Sequence, residues 1–149
     1  MKLEPFLIPV LLIVAAITIV ACSKSSGSKP KISIETLTNP IDSFGGLDVK
    51  FKFTDNSGKL GGGTFTSIRI RLNQKPANNP SGSDTLTGPI PAFSGYKTGE
   101  FDYNIPFSGY LHQDNTQNDT LIFKFVAVNS DGISSDTLSS PTIVSLFHH

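Results

Sequence analysis

The chain has 149 residues, in which 12 Lys and Arg balance 12 Asp and Glu, so its formal net charge is zero. A chain without a basic excess offers no attractive surface for nucleic acid, which is therefore not an expected partner. Hydrophobic residues make up 38% of the sequence. Once an N-terminal export segment is set aside, the length suits one soluble domain of ordinary size.

The first 21 residues are predicted to be an export signal. An apolar stretch, FLIPVLLIVAAITIVA, covers residues 6–21 and ends directly before Cys22, the single cysteine. A membrane-spanning helix needs about 20 apolar residues, and Pro9 would disturb its interior. A secretory signal has a shorter apolar region followed by small residues, which this stretch matches better. An uncleaved anchor helix is the alternative, and it would leave the domain on the same side of the membrane.

Residues 19–22, Ile-Val-Ala-Cys, resemble the lipobox of bacterial lipoproteins, in which an aliphatic, a tolerant and a small residue precede the lipidated cysteine. The resemblance implies cleavage before Cys22, lipid on Cys22 and a membrane as partner. Residues 22–30 are rich in Gly and Ser and predict a flexible tether. By resemblance to known sorting rules, Ser23 favours the outer membrane, and the periplasmic and surface-facing sides both stay open.

Residues 31–149 show a hydrophobic period of two, which predicts an all-β domain. Segments 47–53 and 68–72 alternate without fault and each has one apolar and one charged face, the pattern of a half-buried antiparallel strand. Segment 121–128 is apolar on both faces and is predicted to be central. The weaker strand candidates are 32–37, 85–87, 101–105 and 135–144, where Pro141 indicates an edge or a break. Seven short strands with turn-rich gaps predict an antiparallel β-sandwich.

Residues 123–132, FKFVAVNSDG, resemble the sixth strand and following turn of a fibronectin type III domain. The family pattern there is aromatic, x, apolar, x, Ala, x, Asn, x, x, Gly. Asp131 and Gly132 can supply the positive φ that a tight hairpin requires. The resemblance implies a seven-stranded fibronectin- or immunoglobulin-like sandwich. Since Cys22 is the only cysteine, the inter-sheet disulfide of antibody domains is excluded.

Residues 53–61 resemble a loop of Ig-like lipoproteins in which alternating acids suit a calcium site. Calcium prefers six to eight oxygen ligands, many of them carboxylate. Only Asp55 supplies a carboxylate here, because Ser57 and Lys59 stand where further acids would be expected. The segment is therefore predicted to be a Gly-rich turn, and the chain is predicted to have no metal site and no cofactor.

The tetrapeptide Phe-Ser-Gly-Tyr occurs twice, at residues 93–96 and 107–110. Aromatic residues beside Gly outside regular strands are either lids over the ends of the core or a stacking surface for a sugar or peptide. The lid interpretation is favoured. If a ligand site exists, Tyr96, Tyr110 and His112 are its first candidates.

The tripeptide Asp-Thr-Leu occurs three times, at residues 84–86, 119–121 and 136–138. It resembles the acceptor motif with which some Gram-negative bacteria O-glycosylate exported proteins. The resemblance implies Thr85, Thr120 and Thr137 as possible sites of glycosylation. The alternative is structural, because Asp suits a turn and Thr and Leu suit the strand that follows.

The sequence favours a binding protein over an enzyme. The histidines, His112, His148 and His149, form no pair with metal-ligand spacing, and there is no Gly-x-Ser-x-Gly elbow. The predicted function is a non-catalytic binding or scaffold module that contacts a partner protein or a glycan through a sheet edge or loop end. One alternative is an accessory carbohydrate-capture lipoprotein of an outer-membrane uptake system, which would need a row of exposed aromatic residues. Another is a small hydrolase with paired acids in a cleft.

Overall fold

The computed structural model describes residues 29–78, 83–93, 95–111, 113–114 and 116–146. The signal segment, Cys22, most of the tether and the three histidines lie outside these residues. Regular structure in the described part is all-β, as predicted, apart from one π-helical turn at Phe107–Leu111. The strands are β1 Lys31–Leu37, β2 Leu47–Thr54, β3 Thr64–Arg71, β4 Thr85–Pro89, β5 Thr98–Ile105, β6 Asp119–Val128, β7 Leu138–Ser139 and β8 Ile143–Ser145. None of the described helical structure is long and apolar enough to cross a membrane.

The strands form two antiparallel sheets. One has the order β1-β2-β5, and the other has the order β4-β3-β6-β7, with β8 also paired to β6. Strand β6 is central, as its apolar residues on both faces predict. The predicted strand at 135–144 is divided into β7 and β8 around Pro141, which has no N–H for a sheet hydrogen bond. The described chain therefore has eight strands where the sequence predicts seven.

A cluster of phenylalanines joins the two sheets. Phe51 on β2 lies 4.9 Å, between ring centroids, from both Phe65 on β3 and Phe125 on β6. Phe101 on β5, which belongs to the same sheet as Phe51, stacks on Phe51 with 5.3 Å between the ring centroids. Tilted and edge-on ring pairs of this kind contribute about 0.5 to 1.5 kcal/mol beyond the area they bury. The sheets thus enclose one shared core, an arrangement consistent with a β-sandwich.

Strand β3 presents its charged face to the core. Ser67 is fully buried, and Arg69 is only 1% exposed. The cause is Phe65, because alternation from this core residue puts Ser67 and Arg69 on the same inner side. Ile68 and Ile70 consequently lie on the outer side. The alternation at 68–72 located the second half of β3, which begins four residues earlier at Thr64, and the polar-out pattern expected of a half-buried strand is reversed.

Different loops close the two ends of the sandwich. At the end where β1 begins, here called the tether end, the turn after β2 meets the segment before β5, and Asp55 N donates to Lys97 O at 2.7 Å. At the other, far end, the β1–β2 loop approaches the end of β5 closely. A Cβ on Gly46 would lie 2.5 Å from Ile105 O, so only glycine fits there, and its φ is 75°.

Candidate functional site

The outer surface of the five-stranded sheet is mostly apolar or threonine. Cross-strand pairs on it include Ile70 with Ile122 and Ile68 with Lys124. Lys124 is its single charged residue among those described. We call this surface the β3–β6 face. Its members are Thr64, Thr66, Ile68, Ile70, Thr85, Thr87, Pro89, Thr120, Ile122, Lys124, Val126, Val128, Ser139 and Val144.

The outer surface of the three-stranded sheet has the opposite character. Its outward residues on β2 and β5 are mainly charged, and they pair with one another across the strands. Lys52 Nζ lies 2.5 Å from Glu35 on β1 and 3.8 Å from Glu100 on β5. Asn104 Nδ2 donates to Asp48 Oδ1 at 2.7 Å. This surface is well suited to water, whereas the β3–β6 face would gain from being covered.

Buried interactions of Arg69 hold β3 in its reversed orientation. The guanidinium donates from Nη2 to Asp84 Oδ1 at 2.5 Å and from Nη1 to Tyr110 O. Its Cζ lies 4.5 Å from the centroid of the Tyr110 ring, and the Tyr110 hydroxyl donates to Asp84 O at 2.8 Å. Burial raises the pKa of Tyr110, so this hydroxyl stays a donor. The cation in the sandwich is therefore paired and hydrogen-bonded, as a buried charge requires.

A second ion network surrounds Arg71 at the far end. Arg71 Nε donates to Asp119, and Nη2 lies 3.5 Å from Asp114 Oδ2. Asp119 Oδ2 accepts from Gln113 N at 2.6 Å and from Asp114 N at 3.1 Å. Hydrogen bonds from the side chains of Thr116 and Gln117 lower the pKa of Asp114. Although two acids meet here, both are buried and engaged with donors, which supports a structural role for the pair.

The tyrosines singled out from the sequence do not form one site. Tyr96 is 65% exposed and lies in the segment before β5, at the tether end. Tyr110 is buried in the π turn at the far end. Phe93 stacks on Phe53 at 4.8 Å, and Phe107 packs against the core. These contacts support lids over the core for three of the four aromatic residues. His112 lies outside the described residues.

The three Asp-Thr-Leu motifs lie in different surroundings. Asp84 pairs with Arg69, and the fully buried Asp119 pairs with Arg71, so two of the aspartates stabilise the inner face of β3. Asp136 is exposed and pairs with Lys29 at 2.8 Å. Thr85 and Thr137 are exposed, and Thr120 is partly buried on the β3–β6 face. The motif thus has a structural use in two of its three occurrences.

The loop that resembles a calcium site is a closed turn. Asp55 is fully buried and accepts hydrogen bonds from Ser57 Oγ at 2.7 Å, Ser57 N at 3.1 Å and Lys59 N at 3.0 Å. Burial raises the pKa of Asp55, but these donors outweigh burial and leave it below its usual value. Lys59 Nζ pairs with Asp131 at 2.9 Å. Across the described ranges, no three His, Cys, Asp or Glu residues are grouped as metal ligands.

The β3–β6 face was not predicted from the sequence. The sequence held one indication of it. Phe65, Ser67 and Arg69 alternate along the chain, so a strand that buries Phe65 must also turn Ser67 and Arg69 to the core side. Comparison with protein-family models, curated proteins and solved structures gave no match. The role of the face therefore has to follow from its own residues.

Proposed function

We propose that the chain is a lipid-anchored lipoprotein of the cell envelope whose β-sandwich is a non-catalytic binding or scaffold module for a partner protein. Residues 19–22 support processing before Cys22 and lipid attachment there, and Ser23 supports the outer membrane as the location. The β3–β6 face supports the binding role. Its isoleucine and valine side chains are partly exposed and grouped on one surface, and apolar residues grouped in this way mark interaction sites more often than single scattered ones do.

The sandwich is proposed to be fibronectin type III-like. In constant-type immunoglobulin domains the fourth strand belongs to the sheet of the first, second and fifth strands. In this chain β4 pairs with β3 and so belongs to the other sheet. The strand order therefore departs from the constant-type immunoglobulin arrangement. The turn after β6 gives the resemblance a physical basis, because Asn129 Oδ1 accepts from Asp131 N at 3.1 Å and Ile133 N at 2.9 Å, and Gly132 has a φ of 79°.

The observation that carries the binding proposal is the contrast between the two outer surfaces. One surface bears mutually paired charges, and the other bears isoleucine, valine and threonine around one lysine. Carbohydrate capture is less well supported, because sugar stacking needs aromatic rings and the described members of the β3–β6 face include none. Tyr96 and Phe44 are exposed, but they lie at opposite ends of β2.

The binding proposal is tested by site-specific photo-crosslinking in intact cells that produce the full-length chain. A photoreactive amino acid is placed at Thr66 on the β3–β6 face or, as the matched control, at Lys50 on the opposite sheet. We expect a discrete covalent adduct from position 66 and none from position 50. The proposal fails if position 66 gives no adduct, or if both positions give the same adducts in equal yield.

A further inference from the structure

Lys124 occupies the middle of the β3–β6 face. Ile68 lies opposite it on β3, and Ser139 lies opposite it on β7. Along β6 its outward neighbours are Ile122 and Val126. The lysine is exposed, and it forms no ion pair with any residue that the structure describes. On the far side of Ile68 lies Thr85 of β4. The acid that precedes Thr85 in the chain is Asp84, and its carboxylate is already bound to Arg69.

A partner that covers the surrounding isoleucines must also remove water from this ammonium group. An ammonium buried without a counter-charge is strongly unfavourable, whereas one that meets a carboxylate with hydrogen bonds is tolerated and gives specificity. Resting on the function proposed above, we infer that the partner is a protein with an apolar surface that places a carboxylate, Asp or Glu, opposite Lys124.

A second copy of the chain in face-to-face contact satisfies this requirement poorly. Its own β3–β6 face has Lys124 as the only charge among the described residues, so two such faces in contact would bring two ammonium groups together without a carboxylate. A lipid surface is also a poor match. Surfaces that rest on membranes combine aromatic residues with several basic ones, and this face has one lysine and no described aromatic residue.

The charge of residue 124 is the variable to test, in the full-length chain with the photoreactive amino acid at position 66. Lys124→Glu should lower the yield of the adduct by at least roughly tenfold, because it opposes two like charges across the contact. Lys124→Gln should lower the yield less. Lys50→Glu, which makes the same change of charge on the opposite sheet, should leave the yield unchanged. Since Lys124 is exposed, the melting temperature of the two Lys124 variants should equal that of the unchanged chain.

Mapping the crosslinked peptide then identifies the acid, and replacing that Asp or Glu by Lys should restore the adduct of the Lys124→Glu variant. An adduct yield that is insensitive to Lys124→Glu overturns the inference while leaving the binding function in place. An adduct with the mass of two copies of the chain, or an adduct with lipid, overturns it in favour of those partners. Absence of any adduct from position 66 in the otherwise unchanged chain overturns the binding function itself.

Discussion

Arg69 is a fully buried cation whose counter-ion is not buried. The side chain of Asp84 is 65% exposed, while that of Arg69 is inaccessible to water. Removal of either partner therefore has unequal consequences. Without Asp84 the guanidinium keeps the Tyr110 carbonyl and ring but loses its carboxylate, whereas without Arg69 the carboxylate can turn into solvent.

We expect Asp84→Ala to lower the free energy of unfolding by about 3 kcal/mol, near the lower end for a broken buried ion pair. Arg69→Met should cost less, about 1 kcal/mol, because it removes the charge together with its need for a counter-ion, and the Tyr110 carbonyl loses a donor. Asp136→Ala, which breaks the exposed pair with Lys29, is the control and should change stability by less than about 0.5 kcal/mol. Urea unfolding measures all three. A larger loss for Arg69→Met than for Asp84→Ala would contradict this account.

Phe51 and Phe125 contact each other across the two sheets, and neither side chain is exposed. Phe51→Ala and Phe125→Ala should each lower the free energy of unfolding by about 3 to 5 kcal/mol, through lost burial and the cavity left behind. Phe44→Ala removes the same atoms from a side chain that is 93% exposed and should have almost no effect. Denaturant midpoints give the comparison. Equal midpoints for the core and loop variants would mean that the core is placed wrongly.

At the scale of elements, the turn after β2 is stabilised by its own hydrogen bonds. Because Asp55 already accepts from Ser57 and Lys59, we expect the melting temperature of the domain to be the same in millimolar calcium and in chelator. A site with a Kd near 10 μM would add about 2.7 kcal/mol at 1 mM calcium, an easily measured shift. A rise of several degrees that disappears in Asp55→Asn would falsify the prediction.

The sequence predicted which segments are strands more accurately than which of their faces are buried. Alternation located β2 and β3, and the doubly apolar pattern of β6 correctly made it central. The hydropathy of segment 68–72 alone could not reveal that Arg69 points inward, because the partners that make its burial possible, Asp84 and Tyr110, are 15 and 41 residues away along the chain. The candidate binding face follows from that reversal, so it was missed for the same reason.

The tyrosine site illustrates a second limit of sequence patterns. Tyr96 and Tyr110 belong to identical tetrapeptides, but one follows β4 at the tether end and the other follows β5 at the far end. Since β4 and β5 belong to different sheets, similarity of the segments says nothing about their distance in space. The positions of the two segments in the fold, and not their sequences, leave the Tyr96 ring exposed and set the Tyr110 ring against the buried Arg69.

For the whole molecule, Cys22 is predicted to decide whether the chain is processed and anchored. Cys22→Ala should leave an unprocessed precursor, because the chain contains no other cysteine to receive the lipid. Membrane fractionation, together with mass spectrometry of the N-terminal peptide, measures the outcome. Cys22→Ser is a second variant that keeps the size of the side chain and should behave like Cys22→Ala. An unmodified Cys22 in the wild-type chain would show that the lipoprotein assignment is wrong.

The chain contains three tyrosines and no tryptophan, so its near-ultraviolet circular dichroism comes mainly from tyrosine. Tyr103 touches Phe65 on the opposite sheet at 4.9 Å, and Tyr110 is fixed beside Arg69, while Tyr96 points into solvent. The spectrum is therefore a direct optical report of how the sheets pack and of whether the buried arginine is covered. A variant that keeps its far-ultraviolet spectrum but loses this band would have retained its strands while its side-chain packing had melted.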